Sequence, residues 1–197
     1  MNLLGSSRSP YALKVMVMLA EKGITCELSD ASPSSPEVAA ANPLSRVPIL
    51  IRDDGKTLYD SSVIVEYLDG IVASPKLIPD NFEERIEVKR WEALGNGVMD
   101  AAVAISHENR EPEATRKGPD FYAKQQKKID SGLATMGKDL GDQDFCYGDS
   151  FSLADISCGC ALICIDIRVP GMGWRDSFPA LARYAERIIK RPAFKIE

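Results

Sequence analysis

The chain has 197 residues, and its 24 Lys and Arg against 29 Asp and Glu give a formal net charge of −5, which argues against nucleic-acid binding because that function needs a basic surface. Its 45% of hydrophobic residues excludes an intrinsically disordered chain and is enough for a hydrophobic core. The sequence contains no run of about 18 apolar residues, so no membrane-spanning helix is predicted, and no signal peptide is visible. The five cysteines are an odd number, which favours a reducing cytoplasm over a disulfide framework.

Short strands and helical patterns alternate over the first 75 residues. Leu3-Leu4 predicts a strand that ends at Gly5, and Ser9-Pro10 predicts a helix start, with Ser as N-cap and Pro at the first helical position. Gly23 is expected to end this helix. The remaining elements are a strand over 24–28, a helix from Ser35 to Asn42, a strand over 47–51, a strand over 56–59 and a helix from Asp60 to about Gly70. The resulting order, βαβαββα, is that of a thioredoxin-like domain.

After a proline-containing linker over 73–79, the patterns become helical throughout. Helices are predicted over 82–107, over 121–140, from Ser152, and from Ser177 to Arg191-Pro192. Ser152 and Asp155 have the spacing of a capping box. The cysteines that follow Ser152 are expected to be small buried side chains and not a metal site, since no histidine or further cysteine completes a ligand set. We therefore expect a thioredoxin-like α/β domain over 1–75 and an all-α helical bundle over 80–197.

This organisation resembles the cytosolic glutathione S-transferases over nearly the whole chain. The motifs that carry the resemblance are Ser9-Pro10-Tyr11, Asn42-Pro43-Leu44-Ser45-Arg46-Val47-Pro48 (the family's Asn-Pro-x-Gly-x-Val-Pro), Asp60-Ser61, Gly148, Ser152-Leu153-Ala154-Asp155, Pro179 and Arg191-Pro192-Ala193-Phe194. The Gly-Ser-x-x-Ser-Pro start, residues 5–10, is most similar to a bacterial serine-type group. The resemblance implies a cytoplasmic homodimer that joins glutathione, its co-substrate, to a small electrophile in detoxification, without a metal.

With this resemblance, Ser9 is the candidate catalytic residue. A free thiol has a pKa near ~8.5, and lowering it by two units requires about 2.7 kcal/mol of preferential interaction with the thiolate. A hydroxyl that donates to the sulfur contributes about 1.5–3 kcal/mol, and a helix N-terminus adds about 0.3–1 kcal/mol. Taken alone, Ser-Pro is an ordinary helix cap. Ser6 and Ser7 stay open as alternatives, whereas the lack of a cysteine in this loop disfavours disulfide chemistry.

The resemblance also implies the residues that hold the tripeptide. A cis Val47–Pro48 bond would turn the Val47 backbone outward to pair with the cysteinyl backbone of glutathione like an added strand, and Arg46 would meet the glycine carboxylate. Asp60 suits the γ-glutamyl ammonium, while Ser61 and the helix start suit its carboxylate. Taken alone, the proline is typical of an edge strand and the Asp-Ser pair of a helix cap.

Three further residues are candidates for an electrophile pocket: Tyr11, Met99 and His107. His107 is the only histidine and lies at the far end of the first long helix. Met99 lies two turns earlier and fits a core position better than a pocket position. Trp174, placed in a glycine-rich loop, is expected to close over this pocket.

Two other functions stay open at this point. The first is a glutathione-dependent isomerase or dehalogenase that uses the same site. Ser6-Ser7-Arg8-Ser9 resembles the Ser-Ser-Cys-Ser start of such enzymes, except that Arg8 replaces the cysteine. The second is a non-catalytic interaction protein that keeps the fold. The intact set of Ser9, Val47-Pro48 and Asp60-Ser61 favours an enzyme, because function resides in the site and not in the fold.

Overall fold

A computed structural model describes residues 1–6 and 8–195 of the chain. These residues form two units, one made of residues 1–80 together with the segment from Lys190 onward, and the other of residues 81–189. The division into two independent domains, over 1–75 and 80–197, stays a prediction. The residues after Ile189 group with the first unit in the structure.

The first unit contains a four-stranded sheet and three helices. Its elements are β1 (Asn2–Gly5), α1 (Pro10–Lys22), β2 (Glu27–Asp30), α2 (Pro36–Ala41), β3 (Ile49–Ile51), β4 (Thr57–Leu58) and α3 (Ser61–Ile71). The sheet order is β2-β1-β3-β4. β1 runs parallel to β2, and β3 runs antiparallel to both of its neighbours. The predicted order βαβαββα and the thioredoxin-like class are therefore confirmed.

β2 and β3 begin two or more residues later than the sequence predicts. β1 begins at Asn2, which pairs with Glu27, so residues 24–26 have no β1 residue beside them and β2 starts only at Glu27. β3 begins at Ile49, opposite Leu4. The preceding Pro48 has no N–H to give to the ladder, so the strand cannot be hydrogen-bonded at that residue. Residues 47 and 48 therefore lead into the sheet without being part of it.

A buried ion pair joins α1 to the end of α3 and to the segment that follows. Lys22 Nζ donates to Asp69 Oδ1 at 2.9 Å and to the carbonyl of Pro75 at 2.6 Å. The Asp69 carboxylate also accepts the backbone N–H groups of Leu77 and Ile78, at 2.9 and 3.3 Å. Both charged side chains are almost completely buried. The pair therefore ties the helix to residues 75–78 within the first unit.

The C-terminal segment is attached to the same helix. A 3₁₀ turn, Pro192–Phe194, packs against α1. Arg191, at the start of this turn, donates from Nε and Nη2 to the two carboxylate oxygens of Glu21, each at 2.8 Å. A bidentate pair of this kind fixes orientation as well as distance. It explains why these residues belong to the first unit although they follow the helical segment in sequence.

The second unit is helical over its whole length. It contains α4 (Phe82–Glu108), a 3₁₀ turn (Glu113–Thr115), α5 (Gly118–Leu140), α6 (Leu153–Arg168), α7 (Trp174–Ser177) and α8 (Pro179–Ile188). The long predicted helices are confirmed, whereas α7 begins in a stretch predicted as a loop. The last helix was predicted from Ser177 to Arg191, but Ser177 ends α7, and α8 begins only at Pro179 and ends at Ile188. α4 and α6 pack closely, since a Cβ added at Gly95 would lie 2.8 Å from the carbonyl oxygen of Ser157.

The start of α6 is the predicted capping box. Ser152 Oγ accepts the backbone N–H of Ala154 at 3.2 Å, and the Asp155 carboxylate accepts the Ser152 N–H at 2.9 Å. Asp155 also accepts the N–H of Cys146 at 2.8 Å and the hydroxyl of Tyr184 at 2.7 Å. Burial raises the pKa of the Asp155 carboxyl, and these hydrogen bonds to the carboxylate oppose the rise. The local cap therefore also anchors a loop and α8.

All five cysteines lie in the described residues and none is disulfide-bonded. Four are buried, and Cys26 alone is half-buried. Burial raises the pKa of the Cys164 thiol to about 12, and burial with a contact to Cys158 raises the pKa of Cys146. Across residues 1–6 and 8–195, no group of three or more His, Cys, Asp or Glu is arranged to hold a metal ion. No helix of the described chain is long and apolar enough to cross a membrane.

Thiol reactivity is expected to be confined to Cys26 in the folded protein. At pH 8 a thiol with a pKa of about 12 is ionised in about one molecule in ten thousand, and the buried thiols are also inaccessible. An aromatic disulfide reagent should therefore modify one thiol in the native protein and five after denaturation. In Cys26→Ser the native reaction should disappear. Reaction of two or more thiols in the native protein would contradict the buried placement.

Candidate functional site

Three of the predicted segments meet at one edge of the sheet. β1 ends at Gly5 and leads to Ser9 at the start of α1. β3 runs antiparallel to β1 and starts at that same edge, so Val47 and Pro48 precede it there. β4 runs antiparallel to β3 and ends at the edge, where Asp60 and α3 follow. The topology therefore brings Ser9, Val47 and Asp60 to one side of the first unit.

Gly5 allows two of these segments to approach the end of β1. A Cβ added there would lie 3.0 Å from the Ala12 Cβ, on the first turn of α1, and 3.8 Å from the Pro48 Cβ. The first of these distances is shorter than ordinary van der Waals contact. A side chain at this position would therefore push the start of α1 away from the strand.

Ser9 is the N-cap of α1, as predicted. Its Oγ accepts the Ala12 N–H at 3.4 Å, which is longer than the usual range of about 2.7–3.2 Å. Because capping uses a lone pair of the oxygen, the hydroxyl proton remains available to a ligand. Capping and thiolate stabilisation are therefore compatible. Of the alternatives, Ser6 accepts the Ser9 N–H with its carbonyl at 2.8 Å, and Ser7 lies outside the described residues.

The Val47–Pro48 bond is cis, as the resemblance implies. The Val47 side chain packs against a cluster of buried residues that includes Val38 and Ile49. Within the described part of the chain, neither the amide nor the carbonyl of Val47 makes a backbone hydrogen bond. Arg46 is exposed beside it. The Val47 backbone is therefore open to a hydrogen-bonding partner from outside the chain.

Asn42 was predicted at the end of a helix and as the first residue of the motif that leads to Val47-Pro48, but its side chain was given no role. Its side chain is almost completely buried. Oδ1 accepts the Leu44 N–H at 3.0 Å, and Nδ2 donates to the Arg46 carbonyl at 2.9 Å. Ser45 has φ 48°, in the left-handed region that favours glycine, and it stands where the related motif has Gly. Asn42 therefore holds the turn that leads to Val47.

Asp60 is the N-cap of α3, as predicted. Its Oδ1 accepts the Ser62 N–H at 3.0 Å, and the side chain is exposed, so its carboxylate combines a capping role with a negative charge open to solvent. The Tyr59–Asp60 bond is cis. Ser61 is only 3% exposed, so only a small part of it is open to a ligand. This edge thus presents a carboxylate next to a helix N-terminus.

The electrophile-pocket residues lie in different surroundings, and their roles stay predictions. Tyr11 is half-buried in the first turn of α1. In the helical unit, Met99 is fully buried and His107 is exposed. Partial burial lowers the pKa of His107, and Arg110 and Arg168 lower it further, which favours the neutral form of the imidazole.

Trp174 is a helical residue, so its predicted placement in a loop is wrong, whereas its closing over an electrophile pocket stays a prediction. It begins α7 and is almost completely buried. Its Nε1 donates to Asp166 Oδ1 at 2.8 Å, and the guanidinium of Arg175 lies 4.4 Å from its ring. Arg175 also donates to Asp166 Oδ2 at 2.7 Å. These contacts hold the indole in place, and the glycine-rich sequence before it gives no sign of them.

Comparisons with known proteins agree with this arrangement. Family models described as the N-terminal and C-terminal domains of glutathione S-transferase match residues 8–71 and 119–187. The uncharacterised GST-like protein YibF of Escherichia coli is 33% identical and aligns over 98% of this chain and 96% of its own. A glutathione S-transferase structure from Methylobacillus flagellatus with glutathione bound is 44% identical, with TM-score 0.94 and coverage of 98% and 96% of the two chains. Another from Methylobacterium radiotolerans, in complex with glutathione sulfonate, is 37% identical, with TM-score 0.92 and coverage of 98% and 92%.

Proposed function

The chain belongs to the glutathione S-transferase family, and we propose that it is a serine-type member in which the Ser9 hydroxyl activates the thiol of glutathione. It is a glutathione transferase that binds glutathione as co-substrate and promotes attack of its sulfur on a small electrophile. The observation that carries the role of Ser9 is its hydroxyl at the start of α1, whose proton is not used by the cap.

Two electrostatic effects converge on a sulfur placed beside Ser9. The hydroxyl donates a charge-assisted hydrogen bond to the thiolate, which contributes about 1.5–3 kcal/mol. The N-terminus of α1 adds about 0.3–1 kcal/mol. Together they supply about the 2.7 kcal/mol that lowers a thiol pKa by two units. The thiol is then largely ionised at neutral pH, and the thiolate is the reactive nucleophile.

The same sheet edge supplies partners for the rest of the tripeptide. The open Val47 backbone pairs with the cysteinyl backbone as an added strand, and the exposed Arg46 meets the glycine carboxylate. At the γ-glutamyl end, Asp60 faces the ammonium group. The N–H groups at the start of α3 and the accessible part of Ser61 donate hydrogen bonds to the γ-glutamyl carboxylate. The edge thus offers a complementary partner to each charged group of glutathione.

A homodimer in the cytoplasm with a role in detoxification completes the proposal. Large apolar side chains are exposed on each unit, Tyr59 and Val63 on the first and Phe82 and Ile86 at the start of α4, and their burial against a second copy of the chain would stabilise a dimer. Light scattering on a size-exclusion column should give twice the 21.6 kDa of one chain. The isomerase, dehalogenase and non-catalytic alternatives have no comparable observation in their favour.

Titration calorimetry tests the proposed function directly. Glutathione should bind near neutral pH with release of a proton, detected as a dependence of the binding enthalpy on the ionisation enthalpy of the buffer. S-methylglutathione has no thiol proton and should bind without that dependence. Binding of glutathione without proton release would keep the site but contradict thiol activation. Absence of binding at millimolar glutathione would contradict the site itself.

Asp60→Asn is expected to weaken glutathione binding by up to about fivefold, because an exposed ion pair contributes about 0.2–1 kcal/mol. Asparagine caps a helix as well as aspartate does, so the thermal unfolding temperature should hardly change. Glutathione without its γ-glutamyl amino group provides the control, and it should bind wild type and Asp60→Asn equally. An equal loss for both ligands would show that Asp60 acts through the helix start and not through the ammonium.

A further inference from the structure

The turn between α2 and the cis proline is held by one side chain. The backbone carbonyl oxygen of Asn42 accepts the Ser45 N–H at 2.9 Å, and the Asn42 side chain makes two further hydrogen bonds to the turn. Its Oδ1 accepts the Leu44 N–H, and its Nδ2 donates to the Arg46 carbonyl oxygen. A buried side chain whose donor and acceptor are both used has little freedom to rotate. The position of residues 44–46 is therefore fixed from inside the protein.

The hydrogen bond to Arg46 has a consequence for the next residue. The carbonyl of Arg46 and the N–H of Val47 belong to the same peptide group, and this group is trans because the cis bonds lie elsewhere. In a trans peptide the C=O and N–H lie in one plane and point in opposite directions. A donor that holds the carbonyl oxygen on the protein side therefore directs the Val47 N–H away from it. Hydrogen bonds in series also polarise one another.

We propose that Asn42 is a positioning residue for glutathione binding, which aims the Val47 N–H at the ligand by holding the carbonyl of the Arg46–Val47 peptide group. The inference rests on the proposed function, in which the Val47 backbone pairs with glutathione. Asn42 itself is almost completely buried and does not need to touch the ligand. Asn42 fixes the orientation of the Arg46–Val47 peptide group before glutathione binds. Such preorganisation raises the affinity, because the ligand does not have to order this group itself.

Two substitutions remove the donor to Arg46. Asn42→Asp is nearly isosteric and keeps an acceptor for the Leu44 N–H. Asn42→Ser is neutral and keeps a weaker local acceptor of the same kind. Each should raise the glutathione KM and the dissociation constant of S-methylglutathione about tenfold, the usual size of one hydrogen-bond contribution. At saturating glutathione, kcat should stay within about twofold, because Ser9 is unchanged.

Leu68→Ala is the matched control for stability. Leu68 is fully buried in the second half of α3 and is not part of the cluster against which Val47 packs. Its substitution should lower the unfolding temperature and leave the glutathione KM unchanged. If Asn42 acted only through stability, its variants would behave like Leu68→Ala. A normal KM in folded Asn42 variants would therefore overturn the inference.

The amide NMR signal of Val47 separates this inference from the proposed function. In the wild type, S-methylglutathione should shift the Val47 amide proton downfield. No shift in the wild type would overturn the pairing of Val47 with glutathione and the inference with it. A wild-type shift that persists undiminished in Asn42→Ser, at unchanged affinity, would leave the pairing intact and overturn the role of Asn42 alone. If Asn42→Asp does not fold, Asn42→Ser carries the same expectations.

Discussion

Replacement of Ser9 by alanine is expected to lower kcat/KM for glutathione conjugation by about ten- to a hundredfold at neutral pH. The lost hydrogen bond to the thiolate contributes about 1.5–3 kcal/mol, and each 1.36 kcal/mol corresponds to about one decade in rate. The bound thiol should titrate with a pKa closer to that of free thiols, near ~8.5. The deficit should therefore shrink as the pH rises towards that value. A pH series of kcat/KM, together with the ultraviolet absorbance of the bound thiolate, measures both effects.

The capping role of Ser9 requires its own control. Loss of an N-cap serine to alanine destabilises a helix by about 0.5–2 kcal/mol, whereas glycine at the cap costs only a few tenths. Ser9→Gly should therefore lose as much activity as Ser9→Ala while unfolding closer to the wild-type temperature. Ser6→Ala should keep its activity. If Ser9→Gly were active, or if Ser6→Ala were the inactive variant, the assignment to Ser9 would fail.

Removal of the Asp69 carboxylate is expected to destabilise the protein by about 3–5 kcal/mol, the usual cost of leaving one member of a buried ion pair alone. Asp69→Ala leaves the ammonium of Lys22 buried without its counter-charge and removes the acceptor from the N–H groups of Leu77 and Ile78. For a chain of this size the unfolding temperature should fall by about 10 °C. Thermal and urea unfolding, followed by circular dichroism, measure the change.

Lys76 provides a matched control because it contacts the same carboxylate from the surface. Its ammonium lies 3.4 Å from Asp69 Oδ2 and is more than a third exposed. Lys76→Ala should therefore cost less than about 1 kcal/mol. The double variant Lys22→Met/Asp69→Ala should be more stable than Asp69→Ala, since it no longer buries an unpaired charge. Equal losses for Lys76→Ala and Asp69→Ala would contradict the importance of the buried contact.

The helix termini were predictable because their chemistry is local. Ser9, Asp60 and Ser152 cap α1, α3 and α6 as predicted, and Gly23 ends α1 with φ 63°. In each case the group that satisfies the exposed backbone lies within a few residues of it. The strand limits were less predictable. β2 begins where Asn2 provides a partner, because β2 lies at the edge of the sheet and can form ladder hydrogen bonds only with β1.

The order of the elements, the helix caps and the motifs around Ser9, Val47 and Asp60 could all be predicted from the sequence. That their segments meet at one edge of the sheet, and that Asn42 holds the turn before Val47, is visible only in the folded chain. The fold also pairs Lys22 with Asp69, 47 residues away, and brings Tyr184 to Asp155. Burial explains these contacts, because a polar group removed from water must find a partner wherever the fold supplies one. That partner is set by packing and not by sequence distance.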